Sequence, residues 1–294
     1  MKPLPFGYVA PDDLGEATAA LATYGDEAKV LAGGQSLGPL LNLRLARPTV
    51  LIDLREVAQV HGEPDADGDL VRMGAMTRQR AAECSSVVRE ECPLLAEALP
   101  FVAHRTIRNQ GTIGGSLAHA DPAAEIPAVA VALEAQVVAS SAGGQRVLTA
   151  ARLIEGFFTT SLAPDELISE IWFPRPGPDT GWAWEEFAPR RGDFAIVGVA
   201  ATVTADRDGR VAAASVVCSG VADRPWRADA AETAVVGRPA DEQAFAAAGD
   251  AAAESSSPAG DLVASVDYRR HLTSLLVRRA LTRAASRSGG VANR

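Results

Sequence analysis

The sequence predicts an α+β fold in two domains, and three observations carry the prediction. Short apolar runs of strand length alternate with helical periodicities as far as residue 173. The segment Pro174-Arg175-Pro176-Gly177-Pro178 then interrupts both patterns and reads as a linker. Beyond it, two strand-like runs separated by Asp206-Arg207-Asp208-Gly209 read as a hairpin, and helical patterns close the chain. The expected domains are residues 1–176, in lobes of about 1–60 and 61–176, and residues 177–287, with 288–294 a frayed tail.

Taken in order, residues 6–10 form an apolar run, and Leu14, Ala17 and Leu21 recur at helical spacing. Lys29-Val30-Leu31-Ala32 then leads as a strand into a first glycine turn. Another strand is expected at 49–54, and the Pro, Asp and Gly cluster at 62–68 reads as a loop before a strand at 71–75. Helical patterns cover 77–84 and 94–99, after which Ile107-Arg108-Asn109-Gln110 runs into a second glycine turn. Asp121-Pro122 has the chemistry of a helix start, a good N-cap followed by proline at the first helical position, so a helix is expected from Pro122 through Leu133. Strands follow at 136–139, 146–149 and 167–173, and the hairpin strands are 195–204 and 211–218. The alanine-rich stretch 240–253 reads as a helix and Ser255-Ser256-Ser257-Pro258 as a break. Tyr268, Leu272, Leu275, Leu276 and Ala280 form one face of a final helix.

A chain of 294 residues, 47% of them hydrophobic, can bury sizeable cores without disulfides or metals. A formal net charge of −9 and an isoelectric point near 5.0 oppose attraction to nucleic acid or anionic membranes, which leaves small molecules or proteins as partners. Cys84, Cys92 and Cys218 form no C-x-x-C pair, so neither a structural zinc nor an iron–sulfur cluster is expected on this chain alone. The start, Met1-Lys2-Pro3-Leu4-Pro5, lacks the apolar core of a signal peptide, and no run of about 18 apolar residues exists for a membrane span. A cytoplasmic location is the expectation.

Two glycine-rich segments, Ala32-Gly33-Gly34-Gln35-Ser36 and Gly111-Thr112-Ile113-Gly114-Gly115-Ser116, point to chemistry. Consecutive residues without Cβ reach positive φ, so their N–H groups can converge on an anion, with the hydroxyls of Ser36, Thr112 and Ser116 as further donors. A phosphate-bearing cofactor would suit such a cradle. Taken alone, Gly33-Gly34 is more often a plain tight turn; the second segment is the stronger signal because a capped helix start follows it. Neither matches G-x-G-x-x-G or G-x-x-x-x-G-K-[ST], so the Rossmann and P-loop readings fail at the motif level. His119 reads as a structural histidine, and His61, His104 and His271 carry no motif. Arg269, Arg270, Arg278 and Arg279 read as a solvated or subunit-facing stripe.

Three stretches carry a family resemblance: Ala32 to Leu37, Ile107 to Pro122, and Gly192-Asp193-Phe194-Ala195-Ile196-Val197. Together they resemble the FAD-binding medium subunit of the molybdenum hydroxylases, the carbon monoxide dehydrogenase and xanthine dehydrogenase group, over nearly the whole chain. The resemblance implies a two-lobed FAD-binding domain of the vanillyl-alcohol-oxidase/PCMH-like type, then a domain of antiparallel sheet plus helices. It implies that Ala32, Gly33, Gly34, Gln35, Ser36 and Leu37 on one side, and Gly111, Thr112, Gly114, Gly115 and Ser116 on the other, bind the cofactor diphosphate. Val102 would sit against the cofactor, Glu125 would hydrogen-bond in the ribose or ribityl region, and Ile168 would pack on an apolar part. Asp121 is assigned to capping. Trp184 stands where the family has a Tyr or Phe near the flavin ring, and a core tryptophan is the competing reading.

The resemblance further implies that molybdopterin and [2Fe-2S] clusters reside on a large and a small partner subunit, in a dimer of heterotrimers. Electrons would reach FAD on this chain and leave to an external acceptor. The flavin does the redox chemistry, so no catalytic residue is assigned. A stand-alone FAD oxidase or reductase, and a non-redox nucleotide-binding scaffold, remain the alternatives.

Overall fold

The first lobe is a three-stranded parallel sheet in which Val50–Asp53 lies between Gly7–Val9 and Ala28–Leu31. Every residue of the central strand is buried: Val50, Leu51 and Ile52 as the apolar run of a parallel strand covered on both sides, and Asp53 with its carboxylate accepting from Tyr8 and Arg55. The helix Leu14–Tyr24 starts where Asp13 accepts the Glu16 N–H at 2.8 Å, and it sets Ala17 and Leu21 in one core with Val50 and Ile52. A short helix, Leu37–Asn42, which the sequence does not announce, follows the first glycine turn. These features come from a computed structural model that describes residues 2–289.

The second lobe is a five-stranded antiparallel sheet in the order Asp65–Asp67, Leu70–Gly74, Leu167–Pro174, Gln136–Ser141, Gly144–Thr149. Between its second and fourth strands in space come the helices Gln79–Cys84, Ser86–Glu91, Pro93–Ala98, Arg105–Arg108, Ile113–His119 and Glu125–Ala132 in sequence. Met73, Leu94, Leu95, Ile113, Leu117, Ile126, Ile171 and Phe173 fill the core between helices and sheet. Three expectations need correction. Within the expected loop at 62–68, Asp65–Asp67 is a strand, because ladder pairing of Asp65 with Arg72 outweighs its turn-like composition. The second glycine segment is chiefly helix: Thr112 caps Ile113–His119, its Oγ1 accepting the Gly115 N–H at 3.0 Å, and neither Gly114 nor Gly115 has a positive φ. The helix expected from Pro122 begins at Glu125 after Ala124, while Asp121 closes a preceding turn by accepting the Ala123 N–H at 2.8 Å.

The second domain is a four-stranded antiparallel sheet, Thr180–Phe187, Val197–Ala205, Val211–Ser219 and Trp226–Arg227. The helices Asp229–Val235, Glu242–Ser255 and Val266–Arg287 complete it. The last two pack so closely that a Cβ on Gly249 would overlap the Ser274 carbonyl. Arg269 departs from the solvated stripe: it is 7% exposed and donates to Ile196 O at 2.6 Å, Gly220 O at 2.9 Å and Asp261 Oδ2 at 2.6 Å. Arg270, Arg278 and Arg279 are exposed. Ser288, at the start of the expected tail, is buried and donates its N–H to Ala285 O at 3.1 Å; residues 290–294 lie outside the described residues.

The two domains share a seam. Trp184, Ala200 and Val217 of the second domain's sheet belong to the core of the second lobe. Glu97 accepts from both Arg283 and Arg287 of the last helix, and the Arg287 guanidinium lies 5.7 Å from the centre of the Trp182 ring.

Candidate functional site

The first glycine segment leaves the parallel sheet at Leu31, which pairs with Asp53, and turns at Gly34 with φ +70°. The Gln35 side chain holds the turn by donating Nε2–H to Gly33 O at 3.0 Å, and Gly38 N–H donates to Gly34 O at 2.9 Å as the short helix begins. Among the described residues, the backbone N–H groups of residues 33–37 have no protein acceptor. Residues 32–37 also all reach solvent to some degree. Unpaired amides in sequence before a helix start form an anion-binding concavity.

The second segment differs. Gly111 N–H donates to Ile107 O at 2.7 Å, Ile113 N–H to Thr77 O at 3.0 Å, Gly114 N–H to Ala75 O at 2.9 Å and Ser116 N–H to Thr112 O at 3.2 Å. With Gly115 N–H taken by Thr112 Oγ1, these amides are spent on the fold, which corrects the expectation that they converge on an anion. Glycine serves close packing here: a Cβ on Gly114 would lie 2.6 Å from Ala75 Cβ, and one on Gly111 would lie 2.6 Å from Gln79 Oε1. The two segments meet across the lobes. A Cβ on Gly33 would overlap the Gln110 carbonyl and stand 2.9 Å from Gly111 Cα, and one on Gly115 would lie 3.5 Å from Ala32 Cβ. Sequence reasoning ranked the second segment first, whereas the run of unengaged amides belongs to the first.

Exposure sorts the other expected cofactor residues. Gly115, Ser116 and Val102 are partly open, while Gly111, Thr112, Gly114, Glu125, Ile168 and Trp184 are buried. Val102 is held by Arg108, which donates to Val102 O at 2.9 Å and Ala103 O at 3.1 Å and pairs with both oxygens of Glu83. Trp184, 1% exposed, sits inside the seam with its indole against Gly198, and its Nε1–H donates to Glu186 Oε2 at 3.2 Å. No ring face is left open, so the structure gives it a core position. Burial, with the Glu186 and Asp121 carboxylates, pushes Glu125 up to about 8 despite Arg108. Burial likewise pushes Glu186 up to about 7. His119 packs its ring 5.0 Å from that of Phe158, and burial lowers its affinity for a proton.

Sequence reasoning missed Arg78, Gln79, Arg108 and Glu186. Arg78 donates through Nη1 to Gln110 O, and its backbone bridges to Thr112. Gln79 is 6% exposed, and its Oε1 is an unpartnered buried acceptor beside Gly111. No local pattern signals Arg78 and Gln79, because their contacts span about 30 positions of chain that only the fold brings together, and Arg108 likewise meets Glu83 only through the fold.

Residues 4–176 match the family of the FAD binding domain in molybdopterin dehydrogenase, and residues 182–284 match the CO dehydrogenase flavoprotein C-terminal domain. The chain is 39% identical to the 6-hydroxypseudooxynicotine dehydrogenase complex subunit alpha of Paenarthrobacter nicotinovorans, over 98% of this chain and 97% of that one. It is 38% identical to caffeine dehydrogenase subunit beta of Pseudomonas sp. (strain CBB1), with the same coverage. Its fold superimposes on carbon monoxide dehydrogenase from Hydrogenophaga pseudoflava with a TM-score of 0.95 and 38% identity, covering 98% of this chain and all of the matched chain. The chain belongs to the FAD-binding medium subunits of the molybdenum hydroxylases, the oxidoreductase flavoprotein subunits of carbon monoxide dehydrogenase-like complexes.

Proposed function

We propose that the chain holds FAD between its two lobes and relays electrons from [2Fe-2S] clusters of a small partner to an external acceptor. Substrate oxidation would take place at a molybdopterin centre on a large partner, and the assembly would be a dimer of heterotrimers. The observation that carries the reading is the open run of unengaged amides at residues 33–37, seated where Gly33 tolerates no Cβ against Gln110. A diphosphate fits that donor set, so Ala32 to Leu37 would hold it, with Gly115 and Ser116 facing them from the other lobe.

FAD, when bound, supplies two-electron storage between one-electron carriers and its acceptor. This chain's residues supply position. Arg108 fixes the backbone of Val102, which would flank the cofactor. Glu125 keeps its proton at neutral pH, so toward a ribose or ribityl oxygen it would act as a neutral donor, and Ile168 would back the site from the sheet. The chain has three cysteines, Cys84, Cys92 and Cys218, one fewer than the four thiolates that hold a [2Fe-2S] cluster. That shortfall supports placing the metals on partners.

Purification from the native source tests the reading. The chain should co-elute with molybdenum- and iron–sulfur-containing subunits, and substrate should bleach its flavin only in their presence. A chain that oxidises substrate unaided would refute it.

A further inference from the structure

We propose that Arg78 supplies the positive charge that recognises the cofactor diphosphate, so that this site selects FAD over riboflavin. The inference rests on the reading above and adds a residue to it.

Arg78 stands where the two glycine segments touch. Gln79 N–H donates to Gly111 O at 2.8 Å and Ile113 N–H to Thr77 O at 3.0 Å, which fixes the Arg78 backbone beside the second segment. Its Nη1 donates to the Gln110 carbonyl, the atom against which Gly33 rests. The guanidinium therefore lies at the edge of the run of unengaged amides.

Its charge is uncompensated there. Arg78 is partly buried, and the ion pairs among the described residues engage Arg55, Arg72, Arg80, Arg108, Arg146 and others, never Arg78. The acid it senses, Asp53, is occupied by Arg55, which donates to it through Nε at 2.8 Å and through its backbone N–H at 3.0 Å. Burial and the Arg55 charge both press against the Arg78 cation, yet a guanidinium does not deprotonate in a protein. A neutral carbonyl satisfies one of its five N–H groups, leaving donors for an anion. A diphosphate over residues 33–37 would relieve both deficits, unpaired amides and unpaired cation, through charge-assisted hydrogen bonds.

The test uses the full chain freed of flavin and titrated with FAD, riboflavin and ADP, followed by flavin fluorescence and by competition. Arg78→Met should weaken FAD and ADP by about 10- to 100-fold while changing riboflavin less than about twofold, and Arg78→Lys should restore part of the loss. In the unmodified chain, FAD affinity should fall with added salt and riboflavin affinity should not, a check independent of how the variants fold. Equal loss of FAD and riboflavin in Arg78→Met, unchanged FAD affinity, or salt-independent FAD binding would overturn the inference. A chain that takes up no FAD at all fails the functional reading as well, which separates the two failures.

Discussion

Replacing Glu125 by Gln should stabilise the cofactor-free chain at alkaline pH and leave it nearly unchanged in acid. Glu125 opens the helix Glu125–Ala132, where a carboxylate usually gains from the helix dipole, but at 6% exposure burial dominates. An ordinary glutamic acid titrates near 4.5 and this one at about 8, so the folded state keeps a proton that the unfolded chain releases between those values. A raised carboxyl therefore contributes its stability below pH 4.5 and loses it as the pH climbs through 8. At ~1.4 kcal/mol per pH unit, the loss is about 3 kcal/mol at pH 7 and about 5 kcal/mol above pH 8. Glutamine keeps the shape and a donor and has no proton to lose. Thermal unfolding of the two proteins should coincide within about 2 °C at pH 4.5 and differ by up to about 10 °C at pH 9, with Glu125→Gln the more stable. Parallel pH profiles would refute the reasoning, because they would mean that the carboxyl is solvated or neutralised by Arg108 in the folded state.

Two further substitutions probe the contacts between lobes and between domains. Gly33→Ala drives a methyl into the Gln110 carbonyl, so FAD affinity should fall by at least ~10-fold while far-UV circular dichroism stays the same, as read by flavin titration. Glu97→Gln removes the carboxylate shared by Arg283 and Arg287, and urea unfolding should show a loss of about 1 kcal/mol that shrinks in high salt; the partly exposed guanidinium groups keep the figure small.

The elements that one strong local pattern specifies were legible in the sequence. The hairpin declared itself through Asp206-Arg207-Asp208-Gly209 between apolar runs, and the ladder pairs Ala205 with Val211 beside that turn, although a bulge between Thr204 and Ala205, which the sequence did not announce, shifts the register so that Ala201 faces Val216. The first helix was legible from Leu14, Ala17 and Leu21. Glycine misled the reading at 111–116, because its poor helix propensity suggests a turn, while the close approach of Gly114 to Ala75 demands glycine within a helix. Arg269 misled it because helical spacing cannot tell a solvated arginine from one that ties down the carbonyls of Ile196 and Gly220. Both glycine segments were found at once, yet their division of labour was not: whether the Ile113 and Gly114 amides are spent or unengaged depends on Thr77 and Ala75, which are reached only through the fold. Arg78 was invisible for the same reason, since Gln110 is 32 residues away.

The most direct test of the central claim is to denature the purified protein and identify the flavin it releases, beside Gly33→Ala prepared in the same way. The account predicts FAD at about one per chain from the unmodified protein and a clear deficit in the variant. A folded, colourless protein that ignores added FAD, or a variant that retains the full complement, would contradict the placement of the cofactor between these two segments.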